Sequence, residues 1–175
     1  QTWRPYYKVL AESHLKVRTR LPDSLVGGHT ELDGPNLRVR LTSLGPGHTE
    51  SDLVLYLPEE KILFTGDLVF NACHPYVAHG QPGPWRQWLD SLGGLKPEHV
   101  IPGHGKAGDR TLIGQMDNYL FSLDSLARTL HQKGIPPDSL GGTPIPEAYS
   151  NWWFGRFFQV NLAYMYNLNS TDIAP

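Results

Sequence analysis

The sequence predicts an α/β layered fold in which helices cover a mixed sheet. Segments with strand patterning dominate the stretch before residue 70. Segments with helical spacing follow Pro84, and a short apolar stretch at residues 99–101 lies between two of them. A strand between two helices implies a return to the sheet. At 175 residues the chain is long enough for one domain with a sizeable core, and it is read as a single domain over 1–175.

The elements follow in order. Residues 1–20 mix basic and aromatic side chains, and "YYKVLAESHLKVRTRL" suits a short helix or a strand. "LPDSLVGGHTELDGPN" is rich in turn residues and can bracket a short strand. "LRVRLTSL" alternates Leu37, Val39 and Leu41 with Arg38 and Arg40, a period of two that predicts a strand with one wet face. "DLVLYL" and "ILFTG" are strands joined by the turn "PEEK", and their apolar runs predict a hairpin buried on both faces. Asp67 comes directly after the second strand. "PWRQWLDSLGGL" predicts a helix with Trp85, Trp88, Leu89 and Leu92 on one face and Gly93-Gly94 as its stop. "HVIPGHG" is a strand that ends in a glycine turn. Asp109 is placed to cap the next helix, in which Leu112, Ile113, Met116, Leu120, Leu123, Ala127 and Leu130 recur at helical spacing up to Gly134 and Pro136. A last helix is expected from Pro146, with Trp152, Trp153, Phe157 and Phe158 packed in it and a frayed tail "NLNSTDIAP".

Composition narrows the function classes. A formal charge of -2 and a pI near 6.5 give no electrostatic footprint for nucleic acid or an anionic membrane, so neither is expected as a partner. Cys73 is the single cysteine, which excludes an internal disulfide and a thiolate metal cage. No run of about eighteen apolar residues predicts a spanning helix, and "QTWRPYYKVL" lacks the apolar core of a secretory signal. The compartment stays open.

Three polar residues share one kind of position. His48 in "GPGHTESD", Asp67 in "TGDLVF" and His104 in "PGHG" each flank a predicted strand end in a glycine-containing turn. Loops at strand ends are where a rigid sheet presents functional side chains. Two imidazoles and a carboxylate suit zinc, or iron or manganese. Each residue alone reads as readily as a solvated turn residue; the three in this order carry the signal.

That order resembles the metallo-β-lactamase superfamily of metallohydrolases. The likeness runs from Leu37 to Gly105: a glycine-flanked His, a hairpin, "GD", a helix and "PGHG". The resemblance implies a four-layer αββα sandwich, of which this chain carries the C-terminal sheet with its helices. It implies that His48 is a ligand of a first metal, that Asp67 bridges two metals and is the catalytic carboxylate, and that His104 is a ligand of the second. It also implies a hydrolase that opens an ester, thioester, lactam or lactone carbonyl of a small-molecule substrate, with one or two zinc ions.

The family signature HxHxDH has no counterpart among His14, His29, His48, His74, His79, His99, His104 and His131. The family site has three histidines on one metal and two histidines and an aspartate on the other. The chain alone is therefore expected to hold one ion at most, and weakly. His74 and His79 are weighed as substitute ligands against loop residues near the pocket. His29 is read as a turn residue, and His14, His99 and His131 as ordinary surface or helix residues. An uncovered sheet face predicts either a homodimer or a separate chain that supplies the N-terminal half. Two further readings stay open: a non-catalytic metal-binding or dimerising half-domain, and a fragment without a role of its own.

Overall fold

The computed structural model describes residues 4–14 and 17–171. It shows the mixed α/β architecture expected: helix α1 (Arg4–Ser13), strands β1 (His29–Asp33), β2 (Arg38–Leu44), β3 (Asp52–Leu57) and β4 (Ile62–Phe70), helix α2 (Pro82–Gly94), strand β5 (His99–His104), and helices α3 (Thr111–Gln132) and α4 (Arg156–Thr171). The five strands form one sheet in the order β1-β2-β3-β4-β5. The first four are antiparallel neighbours, whereas β5 runs parallel to β4. A parallel neighbour needs a crossover, and α2 supplies it.

The hairpin is buried on one face only, which corrects the expectation of cover on both. Val54, Tyr56, Leu63 and Thr65 point into the core. Their neighbours in sequence face the other way: Leu53 and Phe64 are 49% and 40% exposed, and Leu55, Leu57 and Ile62 are partly so. Register extends this face across the sheet, because Leu55 pairs with Phe64 and with Leu41, Leu32 with Val39, and Phe64 with Ile101. One side of the sheet is thus a continuous apolar surface without a covering layer among the described residues.

The helices cover the other side. Trp85, Leu89 and Leu92 of α2 and Met116, Leu120 and Leu123 of α3 are buried there, and α4 packs along α3 with Phe158, Leu162 and Met165 buried in the same core. Arg86 donates from Nε and Nη2 to the two carboxylate oxygens of Asp117, at 2.6 and 3.1 Å, and so clamps α2 to α3. Asp109 stands one residue before Arg110, the N-cap of α3, and accepts from the Thr111 amide at 2.8 Å. Gly134, at φ 68°, follows the helix end.

The last helix departs from expectation. The last helix begins at Arg156 rather than near Pro146, because residues 147–149 make a single 3-10 turn. Trp152 and Trp153 therefore lie in the connection. The predicted frayed tail is helical through Thr171, and residues 172–175 lie outside the described residues. The early segment is helical, α1, whose Tyr7, Val9 and Leu10 are exposed. No helix among the described residues is long and apolar enough to cross a membrane.

A buried polar network joins the loop after β4 to the helices. His74 is 1% exposed, so it is not the surface loop residue weighed above. Its Nε2 faces the Tyr149 carbonyl at 3.2 Å, which can only accept, so Nε2 carries the proton. Nδ1 then accepts from the Tyr119 hydroxyl at 3.0 Å. Asn161 donates to that hydroxyl and to the Pro75 carbonyl, and accepts from the Val77 amide. Burial holds His74 below its ordinary pKa, partly offset by the Tyr149 carbonyl.

Two outcomes follow. Leu63→Ala should cost about 2–5 kcal/mol in urea unfolding, and Phe64→Ala on the open face less than about 1 kcal/mol. Because the unfolded chain protonates His74 more readily than the folded one, stability should fall as pH drops below the ordinary value of 6.5. Urea midpoints across that range should show the slope, and His74→Gln should lessen it, leaving the part that buried His48 contributes.

Candidate metal centre

The topology brings three turns to one edge. β4 and β5 are parallel, so their C-terminal ends share an edge. β3 is antiparallel to β4, so the turn before β3 arrives at the same place. That turn carries His48, β4 carries Asp67, and β5 ends at His104. Asp67 lies within β4, not after it. The pairing with β5 shifts register on both sides of Gly66, which has φ 53°. This bulge breaks the in-out alternation just before Asp67; bulges of this kind re-aim side chains beside active sites.

The carboxylate stands between the two imidazoles, each facing a different oxygen. His104 Nε2 is 3.5 Å from Asp67 Oδ1, and His48 Nδ1 is 4.0 Å from Asp67 Oδ2. Neither contact is a hydrogen bond. Gly103 makes room for this arrangement: a Cβ there would run into Asp67 Oδ1 and the Gly66 carbonyl. His104 stacks on Phe70, with ring centroids 5.1 Å apart and planes 14° apart.

His48 is held more tightly than its turn suggests. The Asp52 carboxylate accepts from the His48 amide at 2.8 Å, from the Thr49 amide at 3.2 Å and from the Thr49 hydroxyl at 2.8 Å. The two indoles of α2 fix the flanks. Trp88 Nε1 donates to the Pro46 carbonyl at 3.2 Å, and Trp85 Nε1 to the Leu68 carbonyl at 2.9 Å. The His48 ring packs edge-on against Trp85 at 5.3 Å. Burial pushes its pKa down more than the Asp67 and Asp52 carboxylates raise it, so the imidazole is neutral.

Its Nδ1 is buried and has no hydrogen-bond partner. A neutral, orphaned ring nitrogen aimed at a carboxylate has the chemistry of a metal ligand. Two donors bound tetrahedrally at about 2.0–2.1 Å lie roughly 3.4 Å apart. The Asp67–His104 separation matches that spacing, and the His48 separation is wider. Among the described residues, no group of three or more His, Cys, Asp or Glu side chains closes into a set that could hold a metal ion. The donor types fit a metal; their spacing is looser than a formed site.

The other histidines lie apart from the carboxylate or in other roles. His79 is exposed and packs on Tyr76 at 4.8 Å. His29 begins β1 rather than a turn and faces Thr42 Oγ1 at 3.0 Å. Sequence reasoning missed Asp52, although a carboxylate four residues after His48 is the local acceptor such a turn needs.

With the geometry in place, comparison gives the class. The family model described as the metallo-beta-lactamase superfamily matches residues 2–104, more than half of the chain, and the chain belongs to that superfamily. Among curated proteins, a metallo-beta-lactamase type 2 from Bacillus cereus is 33% identical over 89 residues, which is 48% of this chain and 35% of the relative. A beta-lactamase-like protein 2 homolog from Caenorhabditis elegans is 30% identical over 101 residues, 54% of this chain and 30% of the relative. The chain spans about a third of the length of these relatives. Among solved structures, a metallo-beta-lactamase from Pontibacter korlensis superposes with a TM-score of 0.53 at 27% identity, covering 64% of this chain and 53% of that one. A stereoselective inverting sec-alkylsulfatase from a Pseudomonas species superposes with a TM-score of 0.61 over 89% of this chain and 29% of that one; at 18% identity it shows the fold alone.

Asp52→Ala should leave the His48 and Thr49 amides without their acceptor. The expected result is faster hydrogen exchange at both amides and a stability loss of about 1–3 kcal/mol.

Proposed function

We propose that the chain is the metal-binding part of a metallo-β-lactamase-type hydrolase acting on an ester, thioester, lactam or lactone carbonyl. The observation that carries the reading is the buried, unpartnered Nδ1 of a neutral His48 facing a carboxylate that also faces His104. His48 and His104 would hold zinc, or iron or manganese in its place, with Asp67 between them. When bound, the metal supplies positive charge that lowers the pKa of a water and polarises a carbonyl. The chain's own part is to favour the neutral imidazole at His48, to orient His48 through Asp52, and to seat the Asp67 carboxylate against Gly103. Three donors without further ligands favour weak occupancy by one ion.

The open sheet face favours a second reading, a half-domain that works as an interaction surface. Leu32, Leu53 and Phe64 lie exposed on one face of the sheet, and contiguous exposed apolar residues mark interaction surfaces. A second copy of the chain, burying the same face about a two-fold axis, is the simplest closed arrangement.

Zinc per chain by elemental analysis, together with mass by light scattering, tests both readings. The first expects bound zinc, an affinity drop of more than about 100-fold in Asp67→Asn, beyond what outer partners of a metal ligand contribute, and turnover of a carbonyl substrate that is lost in the same variant. The second expects a discrete dimer without turnover. A zinc affinity unchanged in Asp67→Asn would sink the first.

A further inference from the structure

A cleft of about 560 Å³ opens beside His104, lined by Asn71, Cys73, Lys106, Trp153 and Phe154. Sequence patterning assigned Trp153 to packing, but it is 72% exposed, and Phe154 is 45% exposed. Their neighbour Trp152 does the packing, stacked on Tyr119 at 5.2 Å. The exposed pair is nevertheless fixed in place. The Trp153 amide donates to the Ala72 carbonyl at 2.8 Å, and the Trp153 carbonyl accepts from the His74 amide at 2.9 Å. This one-residue bridge ties the aromatic segment to the loop that follows β4. His74 is in turn locked by Tyr119 and Tyr149.

Both sides of the bridge are strained. Ala72 sits at φ 54° and Phe154 at φ 62°. A bulky residue in the left-handed region is a genuine outlier, and such strain collects at ligand sites, where the surrounding structure over-determines it. A merely structural turn here would favour glycine. The sequence instead keeps an aromatic ring at a costly backbone position and leaves it in the mouth of a cleft.

Charge in the cleft has one sign. Lys106 is its only charged lining residue apart from the titratable His104, and no acidic residue lines it. The Lys106 backbone is anchored, because Asn71 Nδ2 donates to its carbonyl at 2.7 Å. No carboxylate among the described residues pairs with its ammonium. Cys73 is buried, and burial pushes its thiol up, so it adds an apolar wall and not a nucleophile.

We propose that this cleft is a specificity subsite for substrates that carry a flat apolar group together with an anionic group. The ring packs on Trp153 and Phe154, and the anion meets Lys106 Nζ. The reacting end then lies toward Asp67. The inference rests on the reading of His48, Asp67 and His104 as the reactive centre only for that last placement; the recognition itself needs no metal.

The test is binding to the whole chain without added metal, by calorimetry and by the shift of the Trp153 indole N–H resonance. The probes are 3-phenylpropanoate, 3-phenylpropan-1-ol and propanoate. The acid with a ring should bind at least tenfold more tightly than either compound lacking one feature, and it should move the Trp153 signal. Trp153→Ala and Lys106→Gln should each weaken binding tenfold or more at an unchanged thermal midpoint. Phe154→Gly should weaken binding while the midpoint holds or rises, because glycine relaxes the positive φ. Equal binding of the three probes, no binding, or variants that bind like the parent would overturn the proposal. A parallel zinc titration separates the two readings. Zinc bound without the probe sinks the subsite alone, and the probe bound without zinc sinks the metal centre alone.

Discussion

β5 runs beside β4 so closely, at Gly103, that no side chain fits between that backbone and Asp67. Most of the candidate site depends on this contact. It holds the carboxylate at the sheet edge where His104 ends β5, and it is compatible with the bulge at Gly66 that re-aims Asp67. The parallel pairing in turn requires the α2 crossover. Once α2 lies across the sheet, its Trp85 and Trp88 reach the Leu68 and Pro46 carbonyls and fix both neighbours of the edge. That backbone approach and crossover, with the antiparallel β3–β4 pairing, bring all three candidate residues to one edge.

At His48 two effects compete, and burial wins. The carboxylates of Asp67 and Asp52 favour the imidazolium, yet desolvation against Trp85 and Phe70 holds the ring neutral. A neutral ring with a buried and unsatisfied nitrogen carries a desolvation cost that folding alone does not recover. Asp52 offsets a different cost, that of the turn's amide groups, and leaves the ring nitrogen as it is. The arrangement is economical only if something else meets that nitrogen. This is the physical content behind reading His48 as a ligand rather than a turn residue.

Much of this was legible in the sequence. Period-two alternation in "LRVRLTSL", the apolar run of "DLVLYL" and helical spacing from Leu112 to Leu130 give β2, β3 and α3. His48, Asp67 and His104 stood out as candidates because each sits beside a glycine, although Asp67 lies within β4 and not at its end. What escaped were features set by distant partners. An apolar run cannot say whether its second face has cover, so the hairpin was read as buried twice, whereas Leu53 and Phe64 are exposed. Aromatic residues near Pro146 carry helical spacing, but the bridge between Cys73 and Trp153 holds them in a connection instead. His74 looked like a loop residue because Tyr119, Tyr149 and Asn161, its partners, lie far along the chain.

The open face and the donor edge are not independent. Leu53 and Phe64 lie on β3 and β4, the strands whose ends border His48 and Asp67. A layer packed on that face stands about 10 Å from the sheet and ends beside the same edge. Its side chains would border the carboxylate that now faces two imidazoles at 3.5 and 4.0 Å. Covering the face thus changes two things together. It removes apolar surface from water, which stabilises the sheet, and it lowers the local dielectric around the donors, which strengthens any charge they hold. Under the two proposed readings, metal affinity and association through the sheet would therefore be coupled, and a change in either one would shift the other.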